Sequence, residues 1–126
     1  MDVAQALADL QEISSQIEAA VLFAADGSVE GSTLDDETAA KALADAAAAL
    51  LAAADTLREG EAAVTQLEAS LADGCVFVVR DGDRRIAATT VASPTVGLVF
   101  YDLKSCLRDS KPPEKPKRAP RKKAEE

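Results

Sequence analysis

The chain has no histidine and no tryptophan, and its 126 residues include only one methionine, one tyrosine and three phenylalanines. Without histidine, Ser-His-Asp and Cys-His nucleophilic machinery and His-ligated metal centres are excluded. No Gly-x-x-x-x-Gly-Lys run is present, so the sequence offers no loop to cradle a nucleotide phosphate. Its two cysteines, Cys75 and Cys106, are far apart and lack ligand spacing, and they read as small buried apolar residues. Asp81-Gly82-Asp83 lacks the alternating ligands of a calcium loop and reads as a turn. Catalytic residues, metals and cofactors are therefore expected to be absent. Neither a basic region followed by an apolar run nor a stretch of about 18 apolar residues occurs, so neither a secretory signal nor a membrane span is expected, and the expected location is cytoplasmic. Aromatics are 3% of residues, and much of the 48% hydrophobic content is alanine, which buries little area per residue. The core is expected to be shallow, and association with a second copy would supplement it.

Charge is divided unevenly. The last 16 residues, 111–126, hold seven of the 14 basic and three of the 22 acidic residues, so this tail carries +4 and the remainder −12. The acidic body would repel a polyanion. The tail, KPPEKPKRAPRKKAEE, also carries four of the five prolines, a composition expected to remain extended and unpacked. The chain thus divides into a domain at 1–110 and a disordered basic tail at 111–126.

Along the domain, Val3, Leu7 and Leu10 recur at helical spacing over Asp2–Ser14. Ile17–Ala25 is apolar almost throughout, as expected of a strand covered on both faces. Asp26-Gly27 predicts a type I′ hairpin turn into a short strand at Ser28–Ser32. Asp35–Arg58 is the longest uninterrupted helical signal: 11 of its 24 residues are alanine, Asp35, Asp36 and Glu37 suit its start, and Gly60 marks its end. Ala62–Leu71 alternates apolar and polar, Cys75–Val79 is apolar on both faces, and Arg84–Val91 follows the second of two Asp-Gly turns. Ser93-Pro94 then predicts a helix start, with Val96, Val99, Phe100, Leu103, Cys106 and Leu107 repeating at three and four.

The resulting order is αββαβββα, an α+β chain whose five-stranded antiparallel sheet needs helices on both faces. On the long helix, Leu43, Ala47, Leu50, Ala54 and Leu57 form the expected sheet-facing stripe, and Ala42, Ala46, Ala49 and Ala53 form a second line made only of alanine. Strand Ala62–Leu71 has little to deter pairing if it lies at an edge, since Glu68 is its only charge within Thr65–Leu71. Pairing it with a second copy would satisfy its open backbone and bring two alanine lines together. The dimer seam is accordingly expected at Ala42, Ala46, Ala49 and Ala53 with Gln66, Glu68 and Ser70. High helix propensity is the competing explanation for the alanines.

Three segments carry a family resemblance: AVLFAADGSVEGSTLDD from Ala20, DGCVFVVRDGDRRIAATTV from Asp73, and SPTVGLVFYDLKSCL from Ser93. With the Ala/Leu-rich helix among them, the domain resembles the Roadblock/dynein-light-chain family, whose architecture is profilin-like. The resemblance implies a homodimer with a continuous ten-stranded sheet and paired second helices. It further implies a non-catalytic regulator of a small Ras-like GTPase, with the partner docking near the paired helices over Thr38, Lys41, Asp45, Ala48, Ala52 and Asp55. The alternative is a scaffold unrelated to a GTPase, its tail anchoring it to nucleic acid or an anionic membrane. Arg84-Arg85 is a candidate trans-acting arginine pair, although arginine at the start of an exposed strand is common.

Overall fold

The structure is a computed structural model in which residues 2–57 and 63–110 are described. They form α1 (Val3–Ile13), β1 (Ile17–Ala24), β2 (Val29–Ser32), α2 (Glu37–Asp55), β3 (Gln66–Leu71), β4 (Gly74–Asp81), β5 (Arg84–Thr90) and α3 (Val96–Asp109). The element order matches the expected one. Arg58, Gly60, Ala62 and the tail at 111–126, which the sequence reading used, lie outside the described residues. The strands build one antiparallel sheet in the order β2-β1-β5-β4-β3, which leaves β2 and β3 at its edges.

The central strands are apolar on both sides because helices cover both sides. Ala20, Leu22, Phe77, Val79, Ile86 and Ala88 point toward α1 and α3, which pack together on that face. Val21, Phe23, Val78 and Ala87 point the other way, toward α2 alone. Full burial of one such large side chain contributes about 1.5–3 kcal/mol, so Phe77, Leu103, Phe23 and Leu22 anchor the domain.

The face that α2 turns to the sheet differs from the expected one. Ala40, Ala44, Ala47 and Leu51 are buried, whereas Leu43, Leu50 and Ala54 lie along the flank and Leu57 is 82% exposed. Three alanines at the contact allow the helix to settle close to Val21, Phe23, Val78 and Ala87, and the bulkier leucines are displaced to the side. The helix ends at Asp55 rather than Arg58, and Asp36 caps its start by accepting from Thr38 N–H at 2.9 Å.

Two turns also differ. Gly27 alone has positive φ (92°) in the β1–β2 connection, and Ala24 O accepts from Gly27 N–H while Ala24 N–H donates to Ser28 O. This is a type I turn closed by a glycine bulge, and Asp26 needs no left-handed conformation because its carboxylate accepts from Ser28 N–H at 2.9 Å. Before α3, Ser93 itself takes the left-handed conformation (φ 55°), and the helix cap is Thr95. Thr95 N–H donates to Gln16 Oε1 at 2.6 Å, so a side chain from before β1 occupies the helix entrance.

The two edges are unlike. β3 pairs with β4 over six residues without a break in register. β2 has four residues, and its pairing with β1 shifts between Leu22 and Phe23. Across β2 lies α1: a Cβ added at Gly31 would stand 2.4 Å from Val3 Cγ1, so glycine lets the helix cross this closely and a larger residue would force Val3 to shift.

Candidate functional site

The long helix and the β3 edge together form the most distinctive surface. Lys41, Ala42, Asp45, Ala46, Ala48, Ala49, Ala52 and Ala53 are all exposed on α2. The candidate seam residues Ala42, Ala46, Ala49 and Ala53 lie on the crown of the helix, opposite its buried side rather than on its flank. No charged residue occurs from Ala46 to Ala54. An ordinary surface helix carries polar or charged residues there.

Beside this crown the sheet is thinly covered. Helix α2 lies chiefly over β1, β2 and β5, so Leu67, Ala69 and Val76 are half-exposed and Leu71 is 61% exposed. The register of β3 against β4 puts Leu67, Ala69 and Leu71 on the α2 side, opposite Val78, Val76 and Gly74. Gln66, Glu68 and Ser70 project from the other side and are exposed. The expected seam residues therefore fall on two elements that border one apolar shelf.

Arg80 holds these elements in place. It stands on the α2 side of β4, in the same row as Val76 and Val78, with only 12% of its side chain exposed. Its guanidinium donates to both oxygens of Asp55, at 2.7 and 3.1 Å, and through Nε to Val64 O at 2.8 Å. Asp55 also accepts from Val64 N–H at 3.0 Å, and Arg80 N–H donates to Thr65 O at 2.8 Å. The end of α2 and the entry to β3 are thus tied to one side chain. The Arg80 bonds, followed by the Val64 N–H, hold the Asp55 carboxyl below the usual carboxylate range. The sequence reading passed over Arg80, although an arginine at an inward position of an otherwise apolar strand signals a buried partner.

Of the candidate partner-binding residues, Thr38, Lys41, Asp45, Ala48 and Ala52 are exposed along one flank of α2, while Asp55 is engaged by Arg80. Lys41 Nζ donates to Asp45 Oδ1 at 2.9 Å and to Gly27 O at 3.1 Å, which fastens the β1–β2 turn to the helix. As an exposed pair, Lys41 and Asp45 contribute roughly 0.3–0.5 kcal/mol, and both remain accessible.

Arg84 and Arg85 separate sharply. Arg84 donates to Glu30 Oε1 through Nη2 and Nε, to Leu107 O and Ser110 O through Nη1, and to Ser110 Oγ through Nη2. It is the bond between β5, the β2 edge and the end of α3, and so is already committed within the chain. Among the described residues, the Arg85 side chain makes a single hydrogen bond, to Gly82 O at 3.0 Å.

Elsewhere, Asp26, Glu30, Asp35 and Glu37 border a groove of about 820 Å³ between β2 and the start of α2. Cys75 and Cys106 are buried and unpaired, and burial pushes the Cys106 thiol up to about 11. Asp102 is buried on α3, and that desolvation raises its carboxyl above the ordinary value. Among the described residues, no group of three potential metal ligands occurs, and no helix is long and apolar enough to cross a membrane.

No family model matches the chain, and no curated protein matches it in sequence. Similar solved structures were found. A Roadblock/LC7 domain from Streptomyces avermitilis superposes with a TM-score of 0.77 at 20% identity, covering 86% of this chain and 93% of that one. MglB from Myxococcus xanthus gives a TM-score of 0.71 at 16% identity, covering 84% and 82%. The gliding protein MglB from Thermus thermophilus gives 0.61 at 20% identity, covering 82% of both. The chain has the Roadblock/LC7 fold.

Proposed function

We propose that this protein is a non-catalytic homodimer that binds and regulates a small Ras-like GTPase. The observation that carries the proposal is the charge-free alanine crown of α2 lying beside the unbroken, unpaired edge of β3. Water solvates such a surface poorly, and a second copy related by a two-fold axis would cover it. Two β3 edges would then pair, making one sheet of ten strands, with the exposed Leu71 side chains under the facing helices.

Electrostatics selects the register. A two-fold axis through Glu68 would place two carboxylates directly opposite each other, which is destabilising. An axis through Ala69 instead sets Glu68 opposite Ser70 and Leu67 opposite Leu71, with like faces matched. That register leaves Thr38, Lys41, Asp45, Ala48 and Ala52 on the outer flank of each α2. Each outer flank offers a mixed polar and small-residue surface suited to a globular partner. Solved structures of the same fold include an MglB with a tetrameric arrangement, which supports self-association as a property compatible with the fold.

The test is titration of the protein with small GTPases of its source organism, loaded with GDP or with a non-hydrolysable GTP analogue. Nucleotide-dependent binding is expected, and Lys41→Glu with Asp45→Lys should weaken it without changing the dimer mass. If no GTPase binds in either state, the assignment to GTPase regulation fails.

A further inference from the structure

The groove beside β2 has a chemistry that the GTPase reading does not use. Asp26, Glu30, Asp35 and Glu37 line it; Glu30 is already paired with the Arg84 guanidinium, so the carboxylates of Asp26, Asp35 and Glu37 stand against one ammonium from Lys41. That ammonium is already bonded to Gly27 O and Asp45. Val29 and Leu34 lie between the acids and offer apolar contact within the same groove. A fitting occupant is extended, basic and partly apolar.

The chain supplies such a segment close by. Ser110 is the last described residue, and its O and Oγ accept from Arg84 at 2.7 and 3.0 Å. The same guanidinium donates to Glu30 Oε1 at 2.8 Å. The chain therefore leaves the fold one side chain away from the groove wall. Sixteen residues follow, with seven Lys or Arg, three acids and four prolines. At up to about 3.3–3.6 Å per residue, that length spans roughly 50 Å, more than the groove needs. Prolines already restrict the segment, so docking orders it at lower entropic cost.

We propose that residues 111–126 dock in the β2–α2 groove of their own chain, basic side chains against Asp26, Asp35 and Glu37 and proline rings against Val29 and Leu34. The docked segment lies next to Thr38 and Lys41, so it borders the outer flank of α2 and competes with any basic segment of a partner for the groove. The proposal stands whether or not that partner is a GTPase.

A nitroxide at Ala119→Cys in the 126-residue chain tests it, since Cys75 and Cys106 are buried and Ala119 carries no charge. Broadening of backbone amide signals is expected across Asp26–Asp35 and at Glu37 and Lys41 at about 0.1 M salt. It should be lost near 1 M, as the screening length falls from about 10 Å to about 3 Å. The Asp35→Asn/Glu37→Gln double variant should lose the broadening at low salt while keeping its melting temperature. Broadening that is absent, spread over other surfaces or unchanged in the double variant would overturn the proposal. So would broadening in the groove of an isotope-labelled chain mixed with a nitroxide-carrying, unlabelled one.

Discussion

Arg84 and Arg85 are sequence neighbours that should behave oppositely when truncated. Arg84→Ala leaves Glu30, 18% exposed at its side chain, without its counter-charge, and removes the donor from Leu107 O and Ser110 O at the end of α3. Breaking a fully buried ion pair by removing one partner costs about 3–5 kcal/mol, and the residual exposure of this pair, 20% and 18%, brings the expected loss to about 2–3 kcal/mol. In a domain of about 100 residues, that lowers the melting temperature by about 10–20 °C. Urea unfolding is the assay, at one fixed protein concentration so that any association contributes equally to each variant. Arg85→Ala removes one bond, to an exposed turn carbonyl, and should stay within about 0.5 kcal/mol of the parent. Adding Glu30→Gln to Arg84→Ala should recover part of the loss, because the stranded carboxylate is gone. A loss below about 0.5 kcal/mol for Arg84→Ala, or one equal to that of Arg85→Ala, would refute the role given to this guanidinium.

Ala49→Glu puts a carboxylate on the crown of α2 and should convert a dimer to a monomer by sedimentation with helical circular dichroism intact; an unchanged mass removes the crown from the seam. Asp55 has a lowered folded-state pKa, so its stabilising contribution is complete above the ordinary carboxylate value of about 3.9 and disappears as pH falls through the folded value. Asp55→Asn should therefore be less stable than the parent at pH 7, with the difference closing below about pH 4; a constant difference would contradict the pairing with Arg80. Asp102 has the opposite sign: burial raises its pKa, so its ionisation costs stability as pH rises through the folded value. Asp102→Asn should raise the melting temperature at neutral pH and lose that advantage in acid, and a lower melting temperature at pH 7 would show that the carboxylate has a favourable role.

Strand and helix order could be read from the sequence because each element carried its own period and its own boundary residues. Ile17–Ala25 and Cys75–Val79 showed two-sided burial directly, and the Asp-Gly pairs located the turns. Rotation of α2 was not legible for a physical reason. Periodicity weights leucine over alanine, whereas the helix settles on its smallest side chains and buries Ala40, Ala44 and Ala47. The type I′ assignment at Asp26-Gly27 failed because an Asx hydrogen bond to Ser28 stabilises a three-residue loop in which only Gly27 needs positive φ. The Ser93 cap failed because Gln16, distant in sequence, reaches the helix entrance. Long-range side-chain contacts explain the rest: Arg80 with Asp55 and Arg84 with Glu30 join residues 25 and 54 positions apart, beyond any local pattern.

The unlike edges of the sheet give the molecule a valence. Any copy that joins through β3 leaves only β2 on the far side, a strand of four residues with a broken register, crossed by α1 at Gly31. Growth by strand addition therefore stops at the first step. Two equally regular edges would have made each added copy a template for the next, the geometry of a filament. The kink in β2 acts as a chain terminator, and substitutions that straighten or lengthen β2 carry a risk of polymerisation that the same changes in β3 would not.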